Sequence, residues 1–470
     1  MFEKIKNFIK GVLKKLNKKP IIEKELNIEV AVSDEMIKAI DLWTSIYNNK
    51  PPWINENVKT IGLAPAIAGE FARLVTLELE SVITGNDYIN EQYQIVIERI
   101  RDYCEFACAK GGVVFKPYIS DEDIAVDLVQ AENFYPTSFN SKGEVTGAIF
   151  LEFKQEGKKT YTRVEYHNLT KQGYYISNTA YVKENYNGAS LNNNNDLGDQ
   201  VPLGAVKGWE DLEEEALIKN VDKPLFSYFK IPIANNIDTS SPLGVSVYSR
   251  ATDLIEEGDK QYSRILWEYE GTELAVNAGI EAFALDREGN PKIPVGKERL
   301  YRTFDIGNGS NNKLLDTFSP DIRDAPLFNG LNQLLRKIEF NCGLAYGTLS
   351  DVQETAKTAT EIKTSRQRSY VTVSDIQKAL EKSLINLAYA MNVWAMLAGY
   401  SKTSKYDMSF KFDDSLVIDK DTDLLSMQND VASGLIRPEL YIMKKYGVTE
   451  EEALKMMPNN QELDEVDDLE

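Results

Sequence analysis

Residues 243–270, LGVSVYSRATDLIEEGDKQYSRILWEYE, hold the pattern that decides the fold. Val247, Ala251, Leu254, Ile255, Tyr262, Ile265, Leu266 and Tyr269 recur at intervals of three and four, which lines them along one face of a helix. At the standard rise that helix is roughly 40 Å long. Gly258 falls within the stripe, where a missing Cβ lets another backbone approach. A second stripe of Leu327, Phe328, Leu331, Leu334, Leu335 and Ile338 starts near Asp324, with Pro326 suited to the first helical position, and stops at Gly343. Residues 274–323 between the two read as strands and turns, the clearest hairpin running from Glu281 to Leu285 and back through Asp286 to Asn290. A small β module carried on two helices is an odd arrangement for a catalytic core.

Downstream, Leu344 to Thr355 is a polar loop in which Gly347 frees the backbone. Thr358 and Glu361 then match the T-x-x-E pattern of a capping box and start a helix that reaches about Leu397, roughly 60 Å if straight. The β-branched run Val371-Thr372-Val373, with Ser374 and Gln377 as a second cap, predicts a kink instead. Beyond lie a strand at Met408 to Phe412, short helices around Met427 and Leu440, and an acidic tail, Glu462 to Asp468, that reads as a solvated end.

Upstream, residues 62–84 read as one helix from Ile67, Phe71, Leu74, Val75, Leu79 and Val82. A further helix through IVIERIRDYCEFACAKGG ends at Gly111-Gly112. Strands follow at residues 113–118, 124–129, 147–153, 160–167 and 173–182, separated by Gly- and Asn-containing turns. An antiparallel sheet with helices on one side, an α+β domain, is the expected architecture. Asn192 to Asp196 is a loop by composition. Near the start, Phe2, Ile5, Ile9, Val12, Leu13 and Leu16 lie at helical spacing among Lys4, Lys6, Lys10, Lys14, Lys15, Lys18 and Lys19. This basic amphipathic helix suits a membrane surface, an acidic partner or the chain's own acidic body.

The 470 residues suggest about three domains at roughly 150 residues each. Lys and Arg total 53 against 73 Asp and Glu, a net charge of −20 that opposes adsorption onto phosphates and excludes a general DNA-coating protein. Three cysteines without paired CxxC spacing point to a reducing compartment. With no run of roughly 20 apolar residues and no secretory signal core, the chain is expected to stay inside a cell or a particle.

The usual chemistry is thin. His167 is the sole histidine and lies in an alternating strand, so a triad or a histidine metal site lacks its partner and His167 reads as structural. Cys104 and Cys108, four apart on one helix face, read as buried thiols. Asp419 to Asp423 imitates the start of a calcium loop, but Leu424 stands where glycine is needed and Asp430 where a bidentate Glu belongs. No phosphate loop occurs, and Asp413-Asp414 and Glu256-Glu257 carry no catalytic signal in so acidic a chain. No enzyme activity, metal or cofactor is expected.

Helix, β insert, helix, polar loop and long helix, in that order, resemble the stem, clip, stem, tunnel loop and crossing helix of portal proteins from tailed double-stranded DNA phages. The wording agrees with the siphophage type from phages of Gram-positive bacteria. Phe229 to Asp238 followed by Ser241 to Val247 looks like the lead-in to the first stem helix. Gly111 to Tyr118 with Phe134 to Thr137 is similar to the wing, Lys357 to Ile362 to the start of the crossing helix, and Phe412 to Ser415 to the region near the end. The resemblance runs from about residue 25 to 455. It implies an α+β portal fold with a basic N-terminal segment (1–24), wing (25–240), first stem helix (241–273), clip (274–323), second stem helix (324–345), tunnel loop (346–357), long kinked helix (358–398) and a C-terminal wing or crown region with the acidic tail (399–470).

It also implies a homo-oligomeric ring, usually of twelve subunits, at one capsid vertex of a virion assembled in the host cytoplasm. Double-stranded DNA passes through it without sequence preference. The terminase large subunit docks on the clip side, a head-completion or adaptor protein replaces it, and major capsid and scaffolding proteins surround the ring. A pore that lets a polyanion slide should not bind it, which gives the acidity a reason. In the stem, Asp253, Glu256, Glu257, Asp259, Glu268 and Glu270 outnumber Arg250, Lys260 and Arg264. Asp253, Glu256, Glu257, Lys260 and Arg264 are the expected channel charges, and Gln353, Glu354 and Lys357 the expected DNA-facing residues of the tunnel loop. Arg287, Glu288, Asn290 and Lys292 are the expected docking tip of the clip. Two alternatives stand beside this reading. One is a non-catalytic scaffold of a tail-like particle or a peripheral membrane surface; the other, a metal-dependent phosphodiesterase, needs carboxylates gathered in one pocket.

Overall fold

The end of helix Ile100–Lys110 shows how bare backbone joins distant segments. Gly111 sits at φ +91°, donates its N–H to Ala107 O, and lets a strand begin at Gly112. Gly244 lies so close that a Cβ on it would stand 2.1 Å from the Gly111 carbonyl oxygen. Val247 completes the junction by donating its N–H to Cys108 O at 2.9 Å. The computed structural model describes residues 19–120, 123–184, 197–279, 283, 300–304, 315–351, 359–401, 405–412, 420–446 and 448–457.

Among the described residues the strands form four sheets. Strand β1 (Glu80–Thr84) pairs with the last strand, β14 (Asp407–Lys411). Strands β2 (Gly112–Ser120) and β3 (Asp123–Gln130) form an antiparallel sheet with β10 (Ser227–Lys230). Strands β4 (Phe134–Phe139), β5 (Val145–Glu156), β6 (Lys159–Thr170), β7 (Gly173–Glu184) and β8 (Asp199–Val201) follow one another across a larger sheet, where β9 (Glu215–Ile218) also pairs with β7. Strands β11 (Ala275–Gly279), β12 (Tyr301–Phe304) and β13 (Leu315–Phe318) form the fourth, with β11 central, parallel to β12 and antiparallel to β13. The strands expected between residues 113 and 182 are all present, but they divide between two sheets rather than one. Phe134 and Phe150 meet Phe226 and Tyr228 across the gap in edge-to-face and tilted contacts at ring separations of 5.1–6.4 Å, which join the two.

Two expected helices differ. The helix read over 62–84 ends at Val75, because Glu78 turns the chain at φ +51° and Val82, Ile83 and Thr84 find a strand partner. The helix read from 243 begins at Thr252 and is roughly 30 Å long, since residues 243–248 are tied to the Gly111 junction. Across the β-branched run Val371 to Val373, Ala359–Ala398 continues as one helix of 40 residues. Val373, Ile376, Leu380, Leu384, Leu387, Met391 and Ala395 are fully buried along it. That burial, about 1.5–3 kcal/mol per large side chain, outweighs a β-branched penalty of about half a kcal/mol each. The helix begins directly after Thr358, whose own cap lies outside the described residues, as do the basic segment 1–18, the Asn192 loop and the acidic tail. The late helices are Lys420–Ala432, Pro438–Tyr446 and Glu450–Met456, the last opened by a Thr449–Glu452 capping box.

His167 is buried on β6. Its Nε2 donates to Glu165 Oε1 at 2.7 Å, while Nδ1 accepts from the Tyr174 hydroxyl at 2.6 Å, a neutral tautomer assigned from these partners. Burial lowers its pKa from 6.5, and Lys116 and Arg163 add to that against the pull of Glu165. Burial alone would raise the Glu165 carboxyl, but Lys116, His167 and Arg163 together hold it well below the usual range. The unfolded chain therefore binds a proton at His167 that the folded chain refuses, so this contribution is present above pH 6.5 and is lost as pH falls below it. The thermal midpoint should drop between pH 7 and 5 in the parent protein, and His167→Gln should flatten that slope. An unchanged slope would assign the acid sensitivity elsewhere.

Candidate functional site

The two helices that frame the β11–β13 sheet, Thr252–Gly271 and Asp324–Cys342, pack against each other. Pro326 is the third residue of its helix rather than the first, and Gly343 closes it at φ +79°. At Gly258 the close approach comes from a side chain: a Cβ there would meet Leu63 Cδ1 at 3.3 Å.

Three carboxylates on these helices turn inward and hold neighbouring segments. Asp259 is buried; Oδ1 accepts the Ile61 N–H at 2.8 Å and Oδ2 the Trp53 indole N–H at 2.9 Å. Ser263, one turn on, accepts the Lys59 N–H at 2.8 Å, so residues 53–61 are strapped across the first helix. Glu268 takes Arg323 in a two-pronged bond, Nε to Oε1 at 2.9 Å and Nη2 to Oε2 at 2.7 Å, which brings the two ends of the β insert together. Those bonds from Arg323 lower the Glu268 pKa. Glu339 is completely buried, and its Oε1 accepts the backbone N–H groups of Gly347, Leu349 and Ser350 at 3.1, 2.6 and 2.9 Å. Its Oε2 accepts the Ser350 hydroxyl at 2.9 Å, and Asn332 Oδ1 accepts the Asp351 N–H at 2.8 Å.

With this geometry in place, the sequence profile of the family described as "Phage portal protein, SPP1 Gp6-like" matches residues 96–467. The chain belongs to that portal family. It is accordingly a phage portal protein, a member of a structural, non-catalytic family whose rings form the DNA channel at a capsid vertex. No curated protein matches the sequence. The solved structures to which the chain is similar include two from gene transfer agent particles. One, "Virion of native gene transfer agent (GTA) particle", is 10% identical with a TM-score of 0.44, covering 88% of this chain and 94% of that one. The other, "Neck of native GTA particle computed with C12 symmetry", is 10% identical with a TM-score of 0.40, covering 81% and 89%. The family assignment rests on the sequence match alone.

Within this portal chain five of the expected site residues share the open face of the first helix. Asp253, Glu257 and Arg264 are exposed on the first helix and Glu256 and Lys260 half-exposed beside them. Lys260 bridges Glu256 at 2.7 Å and Glu257 at 2.8 Å, and those bonds raise its pKa. Asp259 and Glu268, stem acids outside that set of channel charges, are engaged instead by Trp53 and Ile61 and by Arg323. Gln353, Glu354 and Lys357, and Arg287, Glu288, Asn290 and Lys292, lie outside the described residues. Cys104 and Cys108 are buried free thiols, and burial raises the Cys108 pKa. Among the described residues no group of three or more His, Cys, Asp or Glu could hold a metal ion, and no helix is long and apolar enough to cross a membrane.

The sequence reading missed Glu339, Asn332 and the strap. The available signal was an acid or amide on the apolar stripe itself: Asp259 is four after Ile255, Glu268 three after Ile265 and Glu339 four after Leu335. Asp259→Ala should destabilise the chain by about 1–3 kcal/mol, since it leaves two half-buried donors without their acceptor. Exposed Glu257→Gln should stay within about 0.5 kcal/mol. Denaturant midpoints of the two variants test this, and equal small shifts would refute the inward anchor.

Proposed function

We propose that the helices Thr252–Gly271 and Asp324–Cys342 are the stem of a portal ring, that the β11–β13 sheet between them belongs to its clip, and that residues 346–357 form the tunnel loop. The observation that carries this reading is a β module inserted between two packed helices in a chain of the portal family. The ring has the twelve subunits that the resemblance implies, is assembled in the host cytoplasm with scaffolding and major capsid proteins, and keeps residues 25–240 as its wing and 399–470 as a wing or crown region. The clip tip, Arg287, Glu288, Asn290 and Lys292, docks first the terminase large subunit and then a head-completion or adaptor protein. In the channel, the Asp253, Glu256, Glu257, Lys260 and Arg264 face gives a mostly acidic wall relieved by two cations. Repeated around a ring, such a wall repels the duplex enough to let it slide. Gln353 and Lys357 touch DNA directly, and Glu354 limits how tightly phosphates are held.

Electron microscopy of the purified protein should show rings with a central hole, and a monomer at micromolar concentration would count against the whole reading. Deleting Arg287 to Pro291 should leave rings intact and block packaging; loss of the rings would make the insert an assembly element. Glu354→Lys should slow DNA passage in low salt and recover as salt screens the added charge. Packaging at the parent rate at every salt concentration would remove the loop from the channel.

A further inference from the structure

The base of the 346–357 segment is held by a device that the channel role alone does not explain. Glu339 and Asn332 are seven residues apart, hence on one face of the second helix. Between them they accept the backbone N–H groups of Gly347, Leu349, Ser350 and Asp351, as well as the Ser350 hydroxyl. Gly347, at φ +90°, gives the backbone the turn that points these donors back at the carboxylate. A fully buried, acceptor-only side chain that takes four hydrogen bonds from one short segment leaves that segment little freedom. Glu339 itself is placed by its helix, which the αL turn at Gly343 ends and the Leu344 N–H, donating to Glu339 O at 2.9 Å, secures.

We infer that Glu339 is a positioning residue for DNA passage: it welds residues 347–351 to the second helix, so that any displacement of that helix is delivered unchanged to the backbone that leads into the tunnel loop. Asn332 is the second fastening point of the same weld. This inference rests on the tunnel-loop reading for its functional half and on the described geometry for its mechanical half. The loop base and helix then move as one body up to Asp351.

The test uses assembled rings of the full chain, with Glu339→Ala, the milder Glu339→Gln in case the first does not fold, and Asn332→Ala. Amide hydrogen exchange should quicken by roughly tenfold or more at Gly347, Leu349 and Ser350 in Glu339→Ala, with partial recovery in Glu339→Gln, while helix 324–342 keeps its protection. Asn332→Ala should quicken exchange at Asp351 alone. DNA packaging should slow in Glu339→Ala and recover partly in Glu339→Gln. Parent-rate exchange at 347–350 overturns the weld. Fast exchange with normal packaging, in a system where Glu354→Lys does impair packaging, overturns the positioning role. If Glu354→Lys is silent as well, the tunnel-loop reading has failed, and the exchange data alone decide for or against the weld.

Discussion

The described fold depends on buried carboxylates that accept backbone N–H groups. A helix pair offers apolar stripes to pack, but the segments that cross or leave it carry donors that burial would strand. Asp259 and Glu339 meet such donors, from Ile61 and from Gly347, Leu349 and Ser350, while Glu268 takes the exposed Arg323. Acceptor-only groups suit this work because one carboxylate satisfies several N–H groups at once. Some of the acidity of the two helices is thus architecture, and the exposed and the anchoring carboxylates meet opposite demands on exposure.

The strands of residues 112–184 were legible because alternation and turn residues act over a few positions, and both survive without knowledge of distant partners. The two-helix frame was legible for the same local reason. What the sequence concealed is what distant pairing decides. Val82 and Ile83 fit a helical stripe until Asp407–Lys411 supplies a strand for them. Val371 to Val373 disfavour a helix locally, and the buried side of Ala359–Ala398 supplies the burial that offsets them. Residues 243–251 look helical until Gly244 is found pressed on Gly111.

At the candidate site the sequence supplied exposed charges and the structure supplied anchors. Asp253, Glu257 and Arg264 are exposed as the helical wheel requires. Asp259 and Glu339 carry the same charge but were unreadable as anchors, because their partners lie 198 and 8 to 11 residues away in loops with no periodicity. Their position on an apolar stripe was the one hint.

The Glu268–Arg323 bridge has a consequence for how this part of the chain can change over generations. It joins residues 55 apart and closes the β insert at its neck. Once a neck is fixed, lengthening the enclosed chain costs only a logarithmic entropy term, about 0.6 kcal/mol for each doubling. The helix pair is therefore insulated from the size of what it carries, and the insert can be enlarged or exchanged as a cassette. Arg323 then belongs with the frame rather than the cassette, and tolerance of new sequence should begin on the far side of it.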